Sequence, residues 1–247
     1  VFDHGKRAVS SFPIATGVYY KQDYSSGVDI SKYKNIPVPT SYMAIRSKFD
    51  FVGGYEEDKK GGLLHVADHH VSPGKKQWTW GNGDFGVAWD RNLTDEDGPY
   101  IELMTGVYTD NQPDFTWLQP YEEKSWVQYF MPYAEVGYVK NATKDLILNV
   151  DVQGNNTKLI LYATGKQPKV RVLVKDVSGK ILFDNTVNVS PAEPFCVEFP
   201  SNGVLAENMI TDIYGQDGKL LLTYKADKEE IKPLPNPAEA AKDPKEI

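Results

Sequence analysis

A single cysteine in 247 residues is the first exclusion. Cys196 alone cannot build an internal disulfide framework or a cysteine zinc site. Flanked by Phe195 and Val197, it is expected to be buried as a small apolar residue. Long hydrophobic runs are also missing: no stretch approaches the roughly 18 apolar residues of a membrane-crossing helix. Basic charge is not in excess. Lys and Arg number 27 against 34 Asp and Glu, a net charge of −7, which removes the electrostatic footprint of a nucleic-acid binder. No Ser-His-Asp arrangement, phosphate loop or dinucleotide fingerprint is found; Gly81-Asn82-Gly83 reads as a tight turn that does not precede a helix. Apolar residues at helical spacing are absent before the C-terminal tail. The chain opens without Met or a signal peptide, so it is expected to be a piece of a longer polypeptide, with further domains upstream and downstream. Its compartment is not legible, a bacterial periplasmic or extracellular place being favoured over a cytoplasmic one.

What is present is β-forming sequence. Hydrophobic residues make up 40% and charged residues 25%, the balance of a globular protein with a core to bury. Residues 1–62 give short apolar pieces separated by Pro and Gly. Strands are expected at 63–71, 77–80, 99–108 and 125–132, with a polar, acidic loop over 90–98. From about residue 145 the texture becomes one of regular hairpins. Strands are expected at 146–152, 158–163, 169–175, 180–189, 195–199, 208–214 and 219–224, with turns at 176–179 and 215–218. Val170, Val172 and Val174 alternate with Arg171, Leu173 and Lys175, the pattern of a strand with one buried face. Seven short strands in some 80 residues predict an immunoglobulin-like β-sandwich. The expected organisation is therefore all-β: residues 1–144, then a smaller sandwich over 145–226, then a Pro-rich tail over 227–247.

All five Trp and three of the four His fall between His65 and Tyr133. Aromatic faces beside amides and carboxylates suit a sugar, which has apolar C–H faces and a polar rim. In the 99–108 strand, Tyr100, Glu102 and Met104 share a face. The partial desolvation of Glu102 there suits it to proton transfer. The bland alternative is a Glu on the solvent side of an edge strand. His69 and His70 are candidates for a hydroxyl-binding or acid role. On an unbroken strand they point to opposite faces, and His65 and His69 stand about 13 Å apart at the strand rise, so no metal site is expected. Asp95, Glu96 and Asp97 offer calcium ligands, but a solvated turn is the better reading, and no cofactor is expected. Trp78 and Trp80 share a strand face as a stacking platform or as core. Asn82, Asp90, Tyr100, Asp110, Asn111 and Gln112 complete the expected binding set, with Asp90, Asp110 and Asp114 as local candidates for a second carboxylate.

The run HHVSPGKKQWTWGNGDFGVAWDRNLTDEDGPYIELMTGVYTDNQPDF resembles an uncharacterised bacterial domain of the galactose-mutarotase-like superfamily, one that commonly stands ahead of tetratricopeptide repeats. The resemblance extends from about Asp3 to about Asn149. It implies that 1–144 is the C-terminal part of a galactose-mutarotase-like β-supersandwich and that the Pro-rich tail leads toward helical repeats. More distantly the chain is similar to aldose 1-epimerases. There a strand carries the catalytic Glu, followed by a loop and a Pro-containing turn, the order met here in Ile101-Glu102-Leu103-Met104-Thr105 and Leu118-Gln119-Pro120. The resemblance places Glu102 on the base that removes the anomeric hydroxyl proton. The acid His of those enzymes lies far upstream of the Glu, so it is expected outside this chain. Three functions follow: a glycoside hydrolase or sugar epimerase using Glu102, a non-catalytic carbohydrate-binding module, or a structural and interaction module of a larger repeat protein.

Overall fold

The computed structural model describes residues 12–19, 21–44, 47–109 and 116–226. In chain order the elements begin with β1 (Ile14–Ala15), β2 (Val18–Tyr19), β3 (Gln22–Asp23) and β4 (Val28–Asp29). Then come β5 (Thr40–Ala44), β6 (Phe51–Glu56), β7 (Gly61–Val66), β8 (Gly74–Thr79), α1 (Asp84–Leu93), β9 (Glu102–Gly106) and β10 (Tyr129–Ala134). The remainder is β11 (Asn141–Ala142), β12 (Leu146–Gln153), β13 (Asn156–Ala163), β14 (Gln167–Asp176), β15 (Ile181–Val189), β16 (Phe195–Pro200), β17 (Met209–Tyr214) and β18 (Leu220–Lys225). The protein is all-β with one α-helix among the described residues, and the chain divides into two compact units.

The first unit takes described residues from 12–48 and 68–127. Its centre is an antiparallel sheet in the order β5-β8-β9. The Pro- and Gly-broken N-terminal pieces give two small ribbons, β1 with β4 and β2 with β3. Their apolar residues Ala15, Tyr19, Tyr24, Ile30 and Ile36 form a buried cluster with Phe12, Val28 and Tyr42 packed against it. The two Tyr hydroxyls find partners there, as buried phenols must: Tyr19 with Ser41 Oγ at 3.2 Å and Tyr24 with Thr40 Oγ1 at 3.4 Å.

The second unit takes 49–67 and 128–226. Its sheets run β10-β7-β6, β11-β12-β13-β16 and β15-β14-β17-β18, all antiparallel. Between the last two sheets lies one core of Leu146, Leu148, Leu159, Leu161, Val170, Val172, Val174, Phe199, Met209, Ile213 and their neighbours. The hairpins β14–β15 and β17–β18 meet along β14 and β17, so β12-β13-β16 faces β15-β14-β17-β18 in an immunoglobulin-like order, extended by β11. Ile147 and Ile160 point the other way and join Leu64, Val66, Met131 and Tyr133 in a second cluster. β12 and β13 are thus covered on both faces, which explains why LILNV and LILY read as near-continuous apolar runs.

Four expectations are corrected. Gly81-Asn82-Gly83 does lead into a helix, α1, whose last residues, to Leu93, enter the loop expected over 90–98. Its buried residues are Gly86 and Asp90 while Phe85, Trp89 and Leu93 are exposed, so the apolar stripe faces away from the unit's interior and the usual amphipathic signal is inverted. The strand expected over 63–71 stops at Val66 and turns at Asp68, so His69 and His70 do not lie on a strand. Their rings sit side by side, with centroids 3.9 Å apart, instead of on opposite faces. Cys196 is exposed, because β16 ends its sheet and Cys196 alternates with the residues that face the core, Phe195, Val197 and Phe199.

Candidate functional site

β8 pairs with β9 so that Trp78 stands opposite Glu102 and Lys76 opposite Met104. Opposed residues of an antiparallel pair share a face, as do alternate residues along a strand. Lys76, Trp78, Glu102 and Met104 therefore present one surface, all half-buried. Trp80 and Tyr100 continue it just beyond the strand ends. Trp80 Nε1 donates to the Tyr100 hydroxyl at 3.3 Å, and that hydroxyl donates to Glu102 Oε1 at 3.2 Å. Indole, phenol and carboxylate form a directed chain of hydrogen bonds whose last acceptor carries charge.

The turn after β8 brings in α1. Tyr33 donates its hydroxyl to the Gly81 carbonyl at 3.0 Å, and Asn82 returns a side-chain amide to the Tyr33 carbonyl at 3.0 Å. Gly81 holds φ +82°, the left-handed region that glycine adopts without penalty. Gly86 lets the helix lie directly on this turn: a Cβ there would stand 1.8 Å from the Gly81 carbonyl oxygen. Asp84 at the first turn and Arg91 at the last complement the helix dipole.

Mounted this way, α1 stacks Trp89 on Trp80 with centroids 4.6 Å apart and planes 13° off parallel. Phe85 meets Trp80 edge-on at 6.0 Å and Trp78 meets it edge-on at 5.5 Å. Each such pair contributes about 0.5–1.5 kcal/mol beyond area burial. Phe85 and Trp89 remain 54% and 36% exposed, so the quartet is not sealed into a core.

Electrostatics converge on Tyr100. Burial, above all, holds its hydroxyl above the usual phenol range; the Trp80 N–H opposes this, and Glu102 and then Asp90 add to it. Asp90 is buried on the inner side of α1 and its charge also raises Tyr33, behind the larger effect of burial. Burial pushes the Lys76 ammonium below the usual lysine range, with the Glu102 charge acting in the opposite direction.

Of the residues expected to form the site, the structure brings together Glu102, Tyr100, Trp78, Trp80 and Asp90. Asn82 lies at the same turn, where its amide holds the chain in place. His69 and His70 belong to a turn ahead of β8, beyond Gly74. Gly74 pairs with Gly106, four residues from Glu102 and so about 13 Å along β9. They are not brought to the Glu102 end. Asp110, Asn111, Gln112 and Asp114 lie outside the described residues. Trp89, Phe85 and Lys76 were absent from the expected set. The i, i+4, i+8 spacing of Phe85, Trp89 and Leu93 was the available signal for the first two.

Among the described residues, the metal-ligating side chains drawn together in a group of three are Asp68, His69 and His70. Asp95, Glu96 and Asp97 are exposed on the turn after α1.

A family model described as a domain of unknown function, DUF5107, matches residues 6–133, just over half of the chain. The chain belongs to the DUF5107 family. Every member of the Trp80–Tyr100–Glu102 chain and of the aromatic quartet lies within the DUF5107 match. A second model, described as the second domain of a YphG-like protein, matches residues 141–224, the span of the sandwich strands that follow the DUF5107 portion. No solved structure matches the chain.

Proposed function

We propose that the surface of β8, β9 and α1 binds a carbohydrate and that Glu102 performs acid/base chemistry on it, most simply glycosidic bond hydrolysis. The observation that carries the reading is the hydrogen-bonded series Trp80–Tyr100–Glu102 beside the exposed faces of Trp89 and Phe85. Half-exposed aromatic rings offer apolar faces to sugar C–H groups, and a carboxylate oriented by a phenol accepts from a hydroxyl or exchanges a proton. Glycoside hydrolysis takes two carboxylates about 5–10 Å apart. Asp90 is the second group on this reading, since both it and Glu102 act on the same phenol. The resemblance to the galactose-mutarotase-like superfamily supports a sugar as the ligand. Ring opening by the epimerase route also needs an acid at the ring oxygen, and His69 and His70 stand at the other end of the strand pair. Asp90, a second carboxylate acting on the Tyr100 phenol, is the ground for preferring hydrolysis to epimerisation.

The test is a set of soluble gluco-, galacto-, manno- and xylo-oligosaccharides in both anomeric linkages, assayed for binding by calorimetry and for cleavage by reducing-end release. Cleavage that falls in Glu102→Gln and Asp90→Asn while binding persists supports the hydrolase. Binding without cleavage of any member selects a non-catalytic carbohydrate-binding module. Absence of both removes the carbohydrate reading.

A further inference from the structure

After β7 the chain folds over at Asp68: its carbonyl accepts from Val71 N at 3.1 Å and from Ser72 N at 2.8 Å. Its carboxylate Oδ1 accepts from the backbone N–H of His70 and from His70 Nδ1, each at 2.9 Å. This side-chain turn reverses what an extended backbone would do. Neighbouring side chains on a strand diverge to opposite faces, whereas here the His69 and His70 rings lie together, 3.9 Å between centroids and 39° between planes. One ligand atom from each of Asp68, His69 and His70 lies within 4.8 Å of the others. Ser72 Oγ donates to the Gly106 carbonyl at 3.0 Å, which ties the end of the turn to β9.

We infer that Asp68, His69 and His70 form a binding site for a divalent transition metal of the zinc, cobalt, nickel and copper class. Two imidazoles with one carboxylate are the donor set those ions prefer, at bond lengths of about 2.0–2.2 Å; calcium and magnesium take oxygen donors. Asp68 Oδ1 and His70 Nδ1 already stand 2.9 Å apart, so the ion takes the place of the proton between them. The His70 and Asp68 side chains are 77% and 62% exposed, which leaves both open to an ion from solvent. Three protein ligands leave at least one position of the ion open to water or to an oxygen of a bound molecule. The site stands apart from Glu102, and the inference does not depend on the carbohydrate reading.

The test is titration of the full, tag-free chain with zinc chloride by calorimetry and with cobalt chloride by visible absorption. One ion per chain is expected, with cobalt bands intensified over the aqueous ion. His69→Ala, His70→Ala and Asp68→Asn, each removing one of the three ligands, are each expected to raise Kd at least about 10-fold. The Asp95→Asn, Glu96→Gln, Asp97→Asn triple variant binds as wild type. In the unaltered chain, zinc shifts the ring proton signals of His69 and His70, a reading that needs no variant. No saturation at millimolar zinc overturns the inference. So does undiminished binding by the His69→Ala, His70→Ala double variant with native circular dichroism.

Discussion

Glu102 is a strand residue whose chemistry is set by what its neighbours donate. Tyr100 reaches it because residues two apart share a strand face, and Trp80 reaches Tyr100 because β8 and β9 are paired in the register that sets Trp78 against Glu102. Glu102→Gln keeps the shape and removes the charge. If the chain cleaves a glycan, that variant is expected to lose about 10²–10⁴-fold in kcat, the usual share of general acid–base catalysis, with little change in substrate Kd. Steady-state kinetics beside calorimetry separates the two. Asp212 illustrates a residue with a purely structural task. Burial pushes its carboxyl up, but the Lys175 ammonium at 2.8 Å and the Thr223 hydroxyl at 2.7 Å, joined by Tyr214, outweigh burial and leave it below the ordinary value of 3.8. A carboxyl lowered by folding stabilises the fold above its unfolded pKa and loses that contribution as pH falls through the folded one. Asp212→Asn is expected to cost about 1.5–3 kcal/mol at neutral pH, the scale of hydrogen bonds to a charged group. Urea denaturation of both proteins should show the gap closing as the pH is taken below 3.8.

At the scale of elements, α1 decides whether the site exists, since it carries Phe85, Trp89 and Asp90. Its seating depends on Gly86, where any Cβ meets the Gly81 carbonyl oxygen at 1.8 Å. Gly86→Ala is expected to destabilise the first unit by about 1–3 kcal/mol, as overpacking does, despite the better helix propensity of Ala. The loss is read from the tryptophan-detected unfolding transition. The same helix marks where sequence reading ran out. Its spacing of Phe85, Trp89 and Leu93 was in the sequence, but three apolar positions that follow the Gly81-Asn82-Gly83 turn and run into an acidic stretch read as turn and loop. The turn at Asp68 was hidden in the same way. HVADHHV looks like strand, and the break comes from one carboxylate capping the His70 N–H. The sandwich was legible, by contrast. Val170, Val172 and Val174 alternate with Arg171, Leu173 and Lys175, LILNV and LILY are short apolar runs, and Gly179 and Gly218 mark hairpin turns, so the expected strands fall within about two residues of those observed. Of the site, Glu102, Tyr100, Trp78 and Trp80 were legible from strand period alone. Trp89, Phe85 and Lys76 were not, because their place depends on the missed helix and on the β8–β9 register.

For the whole molecule, two compact units with separate cores give separate readouts. All five Trp lie in 68–127, within the first unit, so tryptophan emission follows that unit alone. The sandwich is reported by backbone amides. Leu161 is fully buried in its core, and Leu161→Ala is expected to cost about 2–5 kcal/mol. Hydrogen exchange should show it as lost protection in β12, β13 and β16. The central claim is that the first unit binds a sugar on its aromatic face through Trp80, Trp89 and Glu102. The most direct measurement is tryptophan emission of the full chain titrated with the oligosaccharide set, for wild type and Trp89→Ala. The account predicts a saturable change in wild type with at least one sugar, and a Kd about 2- to 10-fold higher in Trp89→Ala, since stacking on an aromatic ring is worth about 0.5–1.5 kcal/mol. Saturable binding that Trp89→Ala leaves unchanged, or no saturable change with any sugar, would contradict it.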